Sequence, residues 1–249
     1  MSVEATYSQA FCKGIDPGTV AGSPINGNNI TYTWQLSTEG PASAFAPAPG
    51  NNNQQNYNPG ILNESIWLKR VVNSGSCSSE SQVLFIPVIE ENTWTGTENT
   101  NWNNTNNWSC NSLPTLETNV LIPESLASGN YPEITAGNNA LAKDLTIESN
   151  ASVEVTDNWL RIAGNLTNNG ILNTETGSVS FEGTSAQIIP NSAFENNRIQ
   201  NLQIDNPSGV TSQAIIEITG TIKVEDGNLD TGNELTLISN ENQTALIDG

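Results

Sequence analysis

Short segments of alternating apolar and polar residues run along most of the chain. ITYTWQL (30–36), SIWLKRVV (65–72), SQVLFIPVI (81–89), NVLIP (119–123), SVEVT (152–156), NLQID (201–205), TIKVED (221–226) and ELTLIS (234–239) are rich in Val, Ile and Thr and separated by Gly, Asn, Pro and Ser. Period-two alternation with these residue types predicts β-strands. No stretch carries the three-to-four spacing of an amphipathic helix, so the fold class expected is all-β. In the first of these segments Tyr32, Trp34 and Leu36 share one face of a strand, while Thr31, Thr33 and Gln35 share the other.

The texture changes near residue 90. Before it lie longer loops, above all GPASAFAPAPGNNNQQNYNPG (40–60), whose Pro, Gly, Asn and Gln predict a mobile polar connection. After about residue 140, apolar strands recur with short turns, and GNL occurs at Gly164–Leu166 and again at Gly227–Leu229. Two domains are expected, 1–90 and 91–249, each long enough to bury a core.

Composition narrows the partners. Seven Lys plus Arg against 26 Asp plus Glu give a net charge of −19, which repels phosphate backbones and anionic membrane surfaces. Nucleic acid is not an expected partner, and no run approaches the roughly 18 apolar residues of a bilayer span. The opening MSVEATYSQAF has neither a basic leader region nor an apolar core, so the chain reads as a piece of a larger protein whose targeting signal lies elsewhere. Histidine is absent, which removes Ser-His-Asp and Cys-His catalysis and imidazole zinc sites. The three cysteines, Cys12, Cys77 and Cys110, are too few for a four-thiolate zinc site and fit an extracellular disulfide with one thiol left over.

The most unusual stretch is NTWTGTENTNWNNTNNWSCNSLP (92–114), which sets Trp94, Trp102 and Trp108 among Asn, Thr, Ser and Gly. Two readings compete: a hydrophobic plug closing a fold that begins here, or a carbohydrate platform on which indoles stack against sugar faces. The plug is preferred. Asparagines at turns of the later segments, among them Asn150, Asn165, Asn168, Asn206 and Asn233, suit left-handed backbone and ladders of equivalent residues on neighbouring rungs. VEDGNLDTGNE places Asp226, Asn228, Asp230 and Glu234 at a spacing loosely like a calcium loop, though Thr231 stands where an EF-hand would have Gly. No other cofactor is expected. The basic residues Lys143, Arg161, Arg198 and Lys223 show no repeated spacing that would line up a catalytic groove, so no enzymatic activity is expected.

Two resemblances sharpen this. FCKGIDPGTVAGSPINGNNITYTWQLS, then NPG before the strand bearing Arg70, then SGSC ending at Cys77, resembles the immunoglobulin-like repeat of large secreted surface proteins of Bacteroidota, including gliding-type adhesins and other type IX secretion cargo. The resemblance implies an immunoglobulin-like sandwich with a Cys12–Cys77 disulfide and no catalysis; residues 40–56 depart from it, where a middle strand is missing or distorted. The Trp-rich segment, with Trp94 and Gly96, Trp102, Asn107 and Trp108, Pro114, and Val120, Ile122 and Pro123, resembles the module that precedes parallel β-solenoids in secreted bacterial surface proteins, and the following segments resemble solenoid repeats in order. It implies a capped parallel β-helix over 91–249, with about five rungs of ~20 residues. Cys110 is unusual for that module and implies a partner elsewhere.

The whole reads as a non-catalytic extracellular fragment of a bacterial cell-surface adhesin, a spacer or adhesive scaffold joined to neighbouring domains, with an unknown glycan or protein ligand and no membrane insertion. The alternative is a carbohydrate-binding module of a secreted glycan-processing protein.

Overall fold

In the computed structural model, residues 10–135, 137–241 and 243–248 are described; the opening MSVEATYSQ lies outside them. The chain divides into two compact units, Met1–Glu90 and Glu91–Gly249.

The first unit is built on a five-stranded antiparallel sheet. Ile30–Ser37 pairs along its length with Ile66–Ser74, which also pairs with Cys77–Glu80 and Leu84–Ile86. Ala46–Pro47 adds two residues on the other side of Ile30–Ser37. A separate two-stranded parallel pair joins Phe11–Cys12 to Val88–Ile89. The core contains Val20, Trp34, Tyr57, Leu62, Ile66, Leu68 and Ile86, so the alternation read in ITYTWQL and SIWLKRVV does place Trp34 and Leu68 inward.

The loop expected to be a mobile connection is instead pinned across the edge of this sheet. Ala48 N–H donates to the Trp34 carbonyl, and Trp34 N–H donates to Asn52 O. The Trp34 indole donates to Gln54 O at 3.0 Å and the Tyr57 hydroxyl to Pro49 O at 2.8 Å. Gln55 and Asn56 both bond the backbone of Gly22. Seven backbone and side-chain groups of a polar loop are thus spent on holding it, which satisfies donors that would otherwise be buried unpaired.

At the centre sits Arg70, 0% exposed. Its guanidinium lies 5.1 Å from the Tyr32 ring and 5.7 Å from the Trp34 ring, and it donates to Gln55 O at 2.8 Å and Ser23 O at 2.9 Å. Burial holds its pKa below the usual arginine value, and carbonyl oxygens and ring faces, rather than a carboxylate, compensate the charge.

The pairing Cys12–Cys77 is not formed. Cys77 carries a free, exposed thiol, whereas Cys12 and Cys110 are disulfide-bonded. The sheet explains why. Cys12 pairs with Ile89, just beyond Ile86, which pairs with Ile66 at one end of the central strand; Cys77 pairs with Ser74 at the other end. Eight residues of extended chain separate the two ends by ~26 Å, and a disulfide needs Cα atoms within ~7 Å. The core indole is packed by Tyr57, stacked at 5.7 Å, and by Arg70 instead.

The second unit is a parallel β-solenoid of about 6 turns. One inward ladder runs Ala140–Leu160–Val179–Leu202–Ile222, each residue paired with the next rung's equivalent; Ile247 continues the register beyond Ile222 but is 65% exposed. A second runs Ala142–Ile162–Phe181–Ile204–Val224. On another face Asn92–Val120–Leu145–Leu166 stack likewise. On a third, Thr174 is followed by Ile199, Ile218 and Leu237. Because every rung repeats the same inward positions, one continuous apolar core threads the coil, including Leu160, Val179, Phe181, Leu202, Ile204 and Ile218, each 0% exposed. Rungs approach closely where side chains are absent: a Cβ on Gly177 would stand 2.2 Å from Val155 O.

Two outcomes follow. Arg70→Ala removes the guanidinium's hydrogen bonds to two part-buried carbonyls and opens a cavity, and should cost the first unit about 3 kcal/mol in chemical denaturation, with Arg70→Lys recovering only part. Gly177→Ala should force adjacent rungs apart and lower the second unit's melting temperature, with the first unit's unchanged.

Candidate functional site

The segment that drew attention in the sequence assembles into one object. Glu91–Thr93 pairs in parallel with Asn119–Ile122, and Asn101 bridges to Glu133, so the Trp-rich stretch lies on the first rung. Within it Trp94, Trp102 and Trp108 are 0%, 1% and 1% exposed. Trp108 stands edge-on to both of the others, at 5.0 and 4.7 Å, while Trp94 and Trp102 stack at 6.3 Å. Each of two indole N–H groups has a carbonyl: Trp94 donates to Asn130 O at 2.7 Å and Trp108 to Trp102 O at 2.9 Å. All three join the core that continues through the solenoid.

The asparagines between them build the wall. Asn107, 0% exposed, accepts at Oδ1 from the N–H groups of Glu98 and Asn99 and donates from Nδ2 to Asn99 Oδ1 and Asn101 O. Its side chain therefore uses all four of its hydrogen-bonding positions inside the loop. Glu98 receives the amides of Asn104 and Asn106, and those hydrogen bonds hold its carboxyl below the usual range. Gly96, at φ 55°, brings the backbone against Asn130 O, where a Cβ would stand 2.2 Å away.

This geometry decides between the two readings of the indoles. Rings with no accessible face cannot stack on a sugar, so Trp94, Trp102 and Trp108 are withdrawn as glycan-binding residues. They form the plug.

The weak calcium set is not assembled either. Asp226 and Asp230 each accept from a backbone N–H of their own turns, those of Gly227 and Gly232. Gly227 sits between them at φ 83°, and same-face residues of an extended strand stand ~6.7 Å apart. Among the described residues no three Asp, Glu, Cys or His side chains gather as metal ligands.

The solenoid asparagines divide. Asn150 and Asn233 adopt left-handed backbone, at φ 65° and 74°. The expected ladder of equivalent asparagines gives way to bonds with other groups on neighbouring rungs: Asn168 donates to Ala193 O, Asn206 to Ser185 O and Gln187 Oε1, and Asn165 to Asp144. The basic residues are locally paired. Arg161 and Lys223 do share one outward ladder, separated by Ser180 and Gln203, but Arg161 bonds Glu182 at 3.1 Å and Lys223 pairs with Glu225. Arg198 bridges Glu175 and Glu217, which raise its pKa. Lys143 instead borders a shallow polar concavity of about 350 Å³ with Asp144, Asn165, Thr184 and Gln187.

Sequence reasoning passed over the aromatic residues of the first unit's outer sheet face. There Trp67 and Phe85 stack at 4.7 Å with planes 28° apart, and the Lys69 ammonium lies 4.8 Å from the Phe45 ring centre. The period-two signal that put Trp34 inside also puts Trp67 outside.

The class defined by these features is a parallel β-solenoid closed by a tryptophan plug, preceded by an antiparallel β unit. Residues 2–90 match the family model of a domain of unknown function (DUF8696), and residues 93–179 match that of a second domain of unknown function (DUF8693). No curated protein and no solved structure matches the chain.

If the plug holds the first rungs together, Trp102→Ala should destabilise the second unit by about 3–5 kcal/mol, read as a fall of several degrees in its melting temperature. An unchanged melting curve would remove the plug's structural role.

Proposed function

We propose that this chain is a non-catalytic scaffold segment of an extracellular bacterial surface adhesin, with an immunoglobulin-like first domain as spacer and the plugged solenoid as a stiff rod. The observation that carries the reading is the trio of fully buried indoles seated on a continuous apolar ladder. Such a core resists bending, because displacing any rung exposes its neighbours. The disulfide-bonded state of Cys12 and Cys110 suits an oxidising compartment. The net charge of −19 favours a solvated surface that does not collapse onto itself or onto anionic envelopes. Among the described residues no helix is long and apolar enough to cross a membrane. The resemblance of the ordered motifs around Cys12, Trp34, Arg70 and Cys77 to adhesin repeats supplies the immunoglobulin-like reading and the link to type IX secretion cargo of Bacteroidota. In this reading the ligand contacts are made by adjoining domains or by surfaces of the spacer, and the solenoid sets their distance from the cell.

Immunogold labelling of intact source cells should place the protein outside the outer envelope, and incubation with a polysaccharide panel should release no new reducing or unsaturated ends. Exclusively cytoplasmic label, or product release from any polymer, would overturn the reading.

A further inference from the structure

We infer that the outer face of the antiparallel sheet in Met1–Glu90 is a binding strip for a neutral oligosaccharide, formed by Phe45, Trp67 and Phe85. Register puts the three in one row. Ser37 is paired with Trp67, and Trp67 with Phe85. Ala46 is paired with Leu36, so Phe45, one residue earlier, falls in line beside Ser37. The position of Lys69 over the Phe45 ring places that ring on the same side as Lys69, opposite the core-facing Leu68 and Arg70. Three aromatic rings thus follow one another across four adjacent chain segments, a span of ~14 Å at the inter-strand spacing. Ser37 between them is only 4% exposed, whereas Phe85 is 43% exposed.

A cross-strand aromatic pair on a wet sheet face is worth roughly 0.2–1 kcal/mol, and this accounts for Trp67 against Phe85. It does not account for the third ring or for the exposure of Phe85. One exposed ring is ordinary, but three aromatic side chains in one cross-strand row, half-buried at Phe45 and Trp67 and exposed at Phe85, give a face that a flat ligand can cover.

The chemistry beside the band selects the ligand. The next row carries Gln35 paired with Lys69, and the one after it Thr33 paired with Val71, so amide and hydroxyl groups border the rings. A ligand that is apolar on one face and lined with hydroxyls at its edge fits both, which describes a pyranose. Charge selects neutral chains. Lys69 is bonded to Glu80 at 3.0 Å, leaving the strip without a free cation, and the protein's net charge of −19 repels polyanions.

The test is affinity gel electrophoresis of the whole chain in laminarin, xyloglucan, galactomannan and polygalacturonate, with Trp67→Ala and Phe85→Ser compared with the unaltered protein. At least one neutral polymer should retard the unaltered chain, polygalacturonate should not, and both variants should lose at least tenfold in affinity with an unchanged melting curve. Phe85→Ser alters an exposed position and carries the test if Trp67→Ala fails to fold. Absence of retardation by all three neutral polymers, retardation by polygalacturonate alone, or full binding by Phe85→Ser would overturn the strip. Those outcomes leave the scaffold reading untouched, since it fails on cell labelling or product release instead.

Discussion

The burial of three indoles against one another on the first rung is the contact on which the second unit depends. A solenoid rung is stable only when both its faces are covered, and the first rung of a coil has another rung on one side only. At ~200 Å² per indole and ~25 cal/mol per Å², the trio accounts for about 15 kcal/mol of apolar burial as an upper bound. That is of the order of a whole domain's net stability. A plug of this size also needs its edges satisfied, which is why the intervening sequence is so polar: the carbonyls of Asn130 and Trp102 take the indole protons, and Asn107 ties four positions of the loop together. Composition that looks like surface in the sequence is the frame around an interior.

Much of the fold is legible in the sequence because solenoid rungs obey a local rule. Inward positions recur every two residues within a strand and about every rung between strands, so LAKDLTIES and TIKVED announce Leu145, Ile147 and Ile222 as core without knowledge of their partners. The cysteine assignment failed for the opposite reason. Which thiol lies near which is a property of the paired sheet, and only the register reveals that Cys12 and Cys77 stand at opposite ends of the central strand. The same limit applies to residues 40–57. Pro, Gly and Asn signal irregular backbone, and irregular it is, but irregular differs from loose: Asn52, Gln54 and Gln55 hold carbonyls that Trp34 and Arg70 need.

The candidate sites were legible only as residue types. Asp226, Asn228 and Asp230 have the oxygen atoms a cation would want, yet turn geometry directs those of Asp226 and Asp230 to backbone N–H groups two residues away or nearer. A motif of donors becomes a site when the backbone converges them, and an extended strand disperses them. The asparagines follow the same logic. Asn206 lies where the register with the next strand shifts, and its amide closes the gap to Ser185 and Gln187 instead of meeting an asparagine above or below.

The tryptophans make the strongest case that residue identity underdetermines role. Trp34, Trp94, Trp102 and Trp108 have no exposed face, whereas Trp67, one residue from the buried Ile66 and Leu68 on the same strand, points the other way by the pleat alone. Counting indoles in the sequence directs attention to residues 94–108, where density is greatest, but density is what a core requires and a recognition surface does not. A platform for a flat ligand needs rings spaced across strands, contributed by segments far apart in the chain, as Phe45, Trp67 and Phe85 are. Clustered aromatic residues in one short polar segment are therefore better evidence of an interior than of a binding face, and the binding face is found by following strand register outward from the core.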